Sequence, residues 1–324
     1  MNTQQFKIGI VGMGPVGMIL AVHFKQAGCN VAICDLNKEK TGLIKKEGIQ
    51  LVGELDKSSH FEEIFNSVDE LLNSGVNLIV SCLKSFRVDN MINTIKNHNH
   101  KTDLHILCAQ NGIDIGQKYF ACIEESKILR IIINDTGNSI KQNVVKVNSI
   151  NPPNLIASIN DTCTNVAKWI GSILTFTGQE TRVINSFTLF DEVWKKTILV
   201  SAISPLCGIS KLTIKEAMQS SDTIEVIEQT ILESMQVAKA EGIKFEDNFV
   251  KICLRELKNA GDHFPSLGVD ILEGGETEID YNNGKIVEYG RKHYIQTPLN
   301  LTFTNLVNAV SNKNLGKFAK FIKK

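Results

Sequence analysis

The sequence predicts an α/β chain in two parts: a parallel-sheet domain over residues 1–184 and an all-helical domain over residues 185–324. Three observations carry this. A strand pattern runs straight into Gly12-Met-Gly-Pro-Val-Gly17 and then a helix. Short apolar runs alternate with helical stretches as far as Val183. From Asn185 onward the apolar residues recur at three- and four-residue steps.

The first strand is Lys7–Val11. The turn that follows places Gly12 where the chain bends tightly, Gly14 where backbone must approach a ligand, and Gly17 where a helix packs on the strand, with Met13, Pro15 and Val16 between them. Met18–Ala27 is the helix, closed by Gly28, and Asn30–Cys34 is the second strand, ending in Asp35. Strand, G-x-G-x-x-G, helix, strand and acid in this order form a Rossmann-type dinucleotide-binding fingerprint. Free N–H groups at the helix start face a pyrophosphate. A carboxylate at Asp35 accepts hydrogen bonds from ribose hydroxyls and repels a 2′-phosphate. The cofactor is thus NAD or NADP, with NADH favoured by Asp35, while Lys38 and Lys40 are close enough in sequence to receive a 2′-phosphate.

The alternation continues through a short apolar element at Leu51-Val52, an amphipathic helix over Phe61–Leu72, and a strand over Val76–Cys82 with Lys84 just beyond it. Val88–Ile95 reads as a helix. Leu104–Cys108 is a strand followed by Asn111-Gly112, and Ile128–Ile133 is another. Val144–Val147 and Leu155–Ser158, on either side of Asn151-Pro-Pro-Asn154, close the edge of the sheet. A helix over Thr162–Leu174 and a strand over Gln179–Val183 complete the domain. In parallel sheets ligands bind beyond the carboxyl ends of the strands, which sets Gly12, Asp35, Lys84 and Asn111 along one rim.

The second domain opens on a helix over Phe187–Leu206. Phe187, Phe190, Trp194, Ile198 and Ser201 line one face; Lys196, Val200 and Ser204 step by fours on the next; Pro205 bends or ends it. A lysine on a mostly apolar helix loses hydration, and burial disfavours its ammonium, which makes it a usable proton donor near neutral pH. Lys195 and Lys196 both qualify at this point, and both also read as solvated lysines with their stems along the surface. The stripes Ile224, Ile227, Ile231, Met235, Ala238 and Phe249, Cys253, Leu257 are core. Ser266–Gly284 is dense in glycines and carboxylates, with Ile279 and Tyr281 interleaved, and a last helix runs over Leu299–Val310.

Composition narrows the function. With 43% hydrophobic residues, 22% charged residues and zero formal net charge, the chain has material for sizeable cores and no basic surplus for nucleic acid or anionic membrane. No apolar run reaches the ~18 residues of a membrane span. The 8 cysteines include no C-x-x-C pair and read as reduced, which with the absence of a signal-peptide pattern makes the cytoplasm the expected location. No metal-ligand cluster is expected. The expected partner is a small molecule.

Together, Gly12–Gly17, Lys84, Asn111-Gly112, Trp194-Lys-Lys196, Pro205-Leu206, Ser266 and Thr277-Glu-Ile-Asp-Tyr-Asn-Asn-Gly284 resemble the ketopantoate reductase (2-dehydropantoate 2-reductase) family over essentially the whole chain. The resemblance implies an NAD(P)H-dependent reductase of a branched 2-oxo acid, a possible homodimer serving pantothenate synthesis. It implies Lys196 as general acid, Glu278 as its supporting carboxylate and a neighbour of the cofactor, Asn111 between nicotinamide and substrate, and Ser266 at the substrate's polar end. Two positions depart from the family's pattern. Val200 and Ser204 stand where asparagines usually hold the substrate, and valine donates no hydrogen bond. Asp35 stands where NADP-dependent members typically carry a basic or neutral residue. Both departures point to a second reading: an NAD-dependent D-2-hydroxyacid dehydrogenase of the same fold, acting on another branched or aromatic 2-oxo acid. A third reading, of another class, is a non-catalytic dinucleotide-binding sensor; the lysine, glutamate and asparagine types at 196, 278 and 111 speak against it.

Overall fold

The structure, a computed structural model, describes residues 4–98 and 103–317. The chain divides into two compact units. The first comprises residues up to Gln110 and Asp114–Leu189; the second comprises Asn111–Ile113 and Phe190 onward. The long helix that opens the second unit therefore begins four residues before the crossing, at Ser186, and the Asn111-Gly112 turn belongs with the second unit although it follows a strand of the first.

The first unit is built on an eight-stranded sheet. Its strands are β1 (Lys7–Val11), β2 (Asn30–Cys34), β5 (Glu63–Phe65), β6 (Leu78–Ser81), β7 (His105–Cys108), β8 (Ile128–Ile132), β11 (Asn154–Ser158) and β12 (Thr181–Val183), in the order β12-β11-β8-β7-β6-β1-β2-β5. All neighbours run parallel except β11 against β8. The near-continuous apolar runs of β1, β2, β6 and β7 follow from burial on both faces. Helix α1 (Pro15–Gln26) lays Met18, Leu20 and Phe24 into this core. Helices α2 (Lys38–Glu47), α3 (Val68–Asn73), α4 (Val88–Asn97), α5 (Ile115–Lys118) and α6 (Thr164–Phe176) complete the crossovers.

Two local expectations are corrected. Phe61–Leu72 is not one helix: β5 pairs with β2 through Ile33↔Ile64 and Cys34↔Phe65, and only α3 is helical, capped by Ser67. Its apolar spacing fits a helix, but a waiting sheet edge decides the outcome. The strand at Val144 does not close the main sheet. It is β10 (Val144–Ser149) of a separate four-stranded sheet with β3 (Ile49–Gly53), β4 (Lys57–Ser59) and β9 (Thr136–Lys141), in the order β4-β3-β10-β9. Two antiparallel hairpins join there through the parallel β3–β10 pair, and Asn143 Nδ2 donates to the Gly48 carbonyl (2.9 Å) to fix the junction.

Among its described residues, the second unit is built of helices joined by turns, together with the 111–113 turn. It comprises most of α7 (Ser186–Ser210), then α8 (Ile214–Ala217), α9 (Ser221–Ala240), α10 (Phe249–Asn259), α11 (Ser266–Leu272), α12 (Asn283–Lys292) and α13 (Pro298–Asn314). α7 does not end at Pro205 but continues to Ser210. Among the described residues, no helix is long and apolar enough to cross a membrane, and no group of three or more His, Cys, Asp or Glu could hold a metal ion.

Candidate active site

The glycine-rich turn lies where β1 meets β6, with β2 on its other side, the switch point of the sheet. Gly12 has φ +95° and its N–H donates to the Cys34 carbonyl (2.9 Å); a Cβ there would lie 2.9 Å from the Cys82 carbonyl oxygen. A Cβ on Gly17 would collide with the Gly12 carbonyl. Gly14, the N-cap of α1, has nothing within 4 Å of where a Cβ would be. The turn thus closes tightly on the protein side and stays open on the other, and the first turn of α1 presents N–H groups to that open side. This geometry fits a dinucleotide pyrophosphate, with Met13, Pro15 and Val16 completing the loop.

Asp35 does more than the sequence suggests. Its Oδ2 accepts from the Met13 N–H (2.8 Å) and its Oδ1 from the Asn37 N–H (2.9 Å), so the carboxylate ties the glycine turn to the end of β2. Of the two nearby lysines, Lys40 reaches this spot: its Nζ donates to the Met13 carbonyl (3.1 Å) and lies 3.8 Å from Asp35. A ribose or 2′-phosphate at this edge would meet a carboxylate accompanied by an ammonium. Lys84 is half-buried just after β6, at the start of a 3-10 turn over Ser85–Arg87.

In the second unit, α7 separates the two adjacent lysines. Lys195 pairs with Glu192 (3.1 Å) and Glu246 (3.4 Å). Burial disfavours its ammonium, yet the two carboxylates outweigh that and hold its pKa above the ordinary lysine value. Lys195 is therefore committed to a structural ion pair. Lys196 is half-buried on the other stripe, above half-buried Val200 and buried Ser204. Glu256 of α10 lies within electrostatic reach of it. Glu256 as a residue is exposed. Desolvation pushes its pKa up, and the Lys196 charge pulls it back. Glu256 carries no motif; it sits beside the Cys253–Leu257 stripe and reads as a solvated helix position.

The other candidates gather around α7. The Ile113 N–H donates to the Tyr281 carbonyl (3.1 Å), and Gly112 lies against the Tyr281 backbone, which brings exposed Asn111 to the Thr277–Gly284 segment. Glu278 is half-buried at the head of a 3-10 turn over Ile279–Tyr281, and its carbonyl accepts from Tyr281 N (3.0 Å) and Asn282 Nδ2 (3.2 Å). Asp280, by contrast, is exposed and accepts from Asn308 (2.8 Å). Asn283, which belongs to the Thr277–Gly284 motif but is given no role by the sequence, donates to the Ser201 carbonyl of α7 (2.9 Å). Ser266 is exposed at the first turn of α11, which packs on α7 at Gly208, one turn past Ser204. The chain neighbour of Asn111, Gln110, is buried in the first unit and donates to Ser81 Oγ (2.6 Å) and the Tyr119 hydroxyl (3.2 Å).

A dinucleotide cradle on a parallel sheet and a helical unit with a lysine stripe define the class as an NAD(P)-dependent oxidoreductase. The comparisons make it particular. The family model for ketopantoate reductase PanE/ApbA matches residues 8–156, and that for its C-terminal part matches residues 189–311. The chain belongs to the ketopantoate reductase family. The 2-dehydropantoate 2-reductase of Pyrococcus horikoshii is 24% identical over 311 residues, covering 94% of this chain and 97% of that protein. The one from Streptococcus pyogenes serotype M6 is 25% identical over 314 residues, covering 93% and 96%. Among solved structures, D-mandelate dehydrogenase with NADH and anilino(oxo)acetate superimposes with a TM-score of 0.83 at 23% identity, covering 95% of this chain and 99% of that one. A PanE/ApbA family ketopantoate reductase from Ralstonia eutropha JMP134 gives 0.83 at 21% identity, covering 95% and 99%. These two likenesses share the fold.

Proposed function

We propose that the protein reduces the 2-oxo group of a small branched 2-oxo acid with NADH or NADPH, and that Lys196 is the proton donor. The observation that carries this is the division of labour on α7: Lys195 is held by two carboxylates, while Lys196 shares its stripe with Val200 and Ser204. The bound cofactor supplies a hydride to the 2-oxo carbon. Lys196 stabilises the charge growing on the oxygen and gives it a proton. Glu278 supports that ammonium, Asn111 orients the reacting carbonyl, and Ser266 and Ser204 receive the acid's polar end. Gly12–Gly17, Asp35 and Lys84 hold the dinucleotide. The carboxylate of Asp35 favours NADH, with Lys40 moderating the preference.

Ketopantoate is the substrate that the family's name suggests. Val200 favours a second substrate: an isopropyl group on the stripe leaves a substrate hydroxyl unpaired at a cost of about 1–3 kcal/mol, so a branched or aromatic 2-oxo acid without that hydroxyl fits at least as well. The D-mandelate dehydrogenase likeness agrees with this. A homodimer is the proposed assembly, as for the dimeric ketopantoate reductase of Staphylococcus aureus, and the cytoplasm the proposed location. The test is oxidation of NADH and NADPH by the purified protein against a panel of 2-oxo acids that includes ketopantoate. Turnover with ketopantoate alone supports the first substrate, and turnover that is equal or better with other branched acids supports the second. Cofactor binding without turnover on the whole panel overturns the reductase reading.

A further inference from the structure

α7 passes through Pro205 without ending. Proline has no N–H, so the carbonyl four residues earlier, that of Ser201, loses its intrahelical donor. Ser201 is fully buried, and a buried backbone carbonyl needs a partner. Asn283 supplies one. Its Nδ2 donates to the Ser201 carbonyl (2.9 Å) and, through its second N–H, to Asn300 Oδ1 (3.0 Å). Asn283 is itself fully buried. Asn300 Nδ2 donates to Glu233 Oε1 (2.7 Å) and Ser234 Oγ (3.0 Å), and the Glu233 carboxylate accepts from the N–H groups of Leu299 and Asn300 (both 2.9 Å) in the first turn of α13. With both its amide hydrogens given to oxygens, Asn283 has one orientation.

This network runs from α7 through α12 and α13 to α9. Its α7 end falls between Val200 and Ser204, and its α12 end lies in the Thr277–Gly284 segment that carries Glu278. We propose that Asn283 is a positioning residue: by filling the carbonyl that Pro205 leaves open, it fixes the rotation of α7 against that segment and so sets where Lys196 stands relative to Glu278. The kinetic part rests on the reductase reading; the bond itself does not.

The test is a double-mutant cycle. Pro205→Ala restores the N–H at 205, so the Ser201 carbonyl is satisfied within the helix and Asn283 is no longer needed there. Asn283→Ala in the wild type is expected to lower kcat about tenfold or more, the scale of a small misplacement, with KM for the dinucleotide unchanged. In the Pro205→Ala background the same substitution is expected to cost less than about threefold, the difference being the coupling. An equal factor in both backgrounds, or an unchanged kcat in folded Asn283→Ala, overturns the proposal. If Asn283→Ala alone does not fold, the double variant is expected to fold, and its failure to do so also overturns the proposal. If the wild type turns over no 2-oxo acid, the reductase reading fails separately. The unfolding midpoints of the four proteins then still decide the lock: coupling upholds it and additivity overturns it.

Discussion

The glycine turn of the first unit and the proline turn of α7 both break a regular backbone, and they are mended in opposite ways. At Gly12 and Gly17 the mending is subtraction: the side chains that would collide are absent, and everything needed lies within one short motif. At Pro205 it is addition: a side chain 82 residues from Ser201 brings the missing donor. A defect repaired by omission is written locally. A defect repaired by a partner is visible only in three dimensions.

The largest expected effect breaks the comparison at its first side. Gly17→Ala drives a methyl group into the Gly12 carbonyl, and such overpacking against rigid backbone costs more than about 3 kcal/mol; NADH binding, followed by fluorescence, is expected to vanish. Gly14→Ala has open space for its Cβ and is expected to leave the unfolding midpoint unchanged while weakening the dinucleotide. Equal unfolding midpoints for the two variants would contradict the packing argument.

Acid sharpens the same side. His23 of α1 is fully buried against Thr177 (3.1 Å), and burial, followed by the charge of Lys57, lowers its pKa from 6.5 to about 4. The unfolded chain therefore binds the proton first. The stability this contributes is complete above pH 6.5 and is lost as the pH falls from there toward 4, roughly 3 kcal/mol in all. Urea midpoints measured across that window are expected to fall for the wild type and to flatten for His23→Leu. An unchanged slope in the variant would place the acid sensitivity elsewhere.

The smallest expected effect lies on the α7 side. Val200→Asn returns an amide to the lysine stripe and is expected to raise the kcat/KM ratio of ketopantoate over a branched 2-oxo acid lacking its hydroxyl by about tenfold. A folded variant with an unchanged ratio would mean that Val200 does not meet the substrate.

The two sides also differ in how far the sequence alone reached. The glycine turn, Asp35, the parallel strands and the α7 stripe are legible because their signals are local: a fixed spacing, a period, an acid at a strand's end. The helix expected over Phe61–Leu72 fails because β2 offers Ile64 and Phe65 a sheet edge that no local pattern announces. The second sheet is missed because β3 and β10 pair across a long stretch of chain. Burial reasoning alone leaves Lys195 and Lys196 both open; the stripe and the Trp194-Lys-Lys196 motif point to Lys196, and Glu192 and Glu246 show what holds Lys195 only through packing. Glu256 carries no signal of its own for the same reason, and Asn283, though it belongs to the Thr277–Gly284 motif, gives no sign in sequence that its partner is Ser201.

The central claim is that Lys196, and not its neighbour, gives the proton. The direct measurement is kcat of Lys196→Ala and Lys195→Ala at saturating cofactor and substrate, with NADH affinity determined alongside. Lys196→Ala is expected to lose about 10²-fold or more, the scale of a lost general acid, with NADH affinity intact. Lys195→Ala is expected to lose only a partly screened ion pair, about 1 kcal/mol or less of stability, with kcat nearly unchanged. The opposite pattern, with Lys196→Ala silent and Lys195→Ala inactive, would contradict the account.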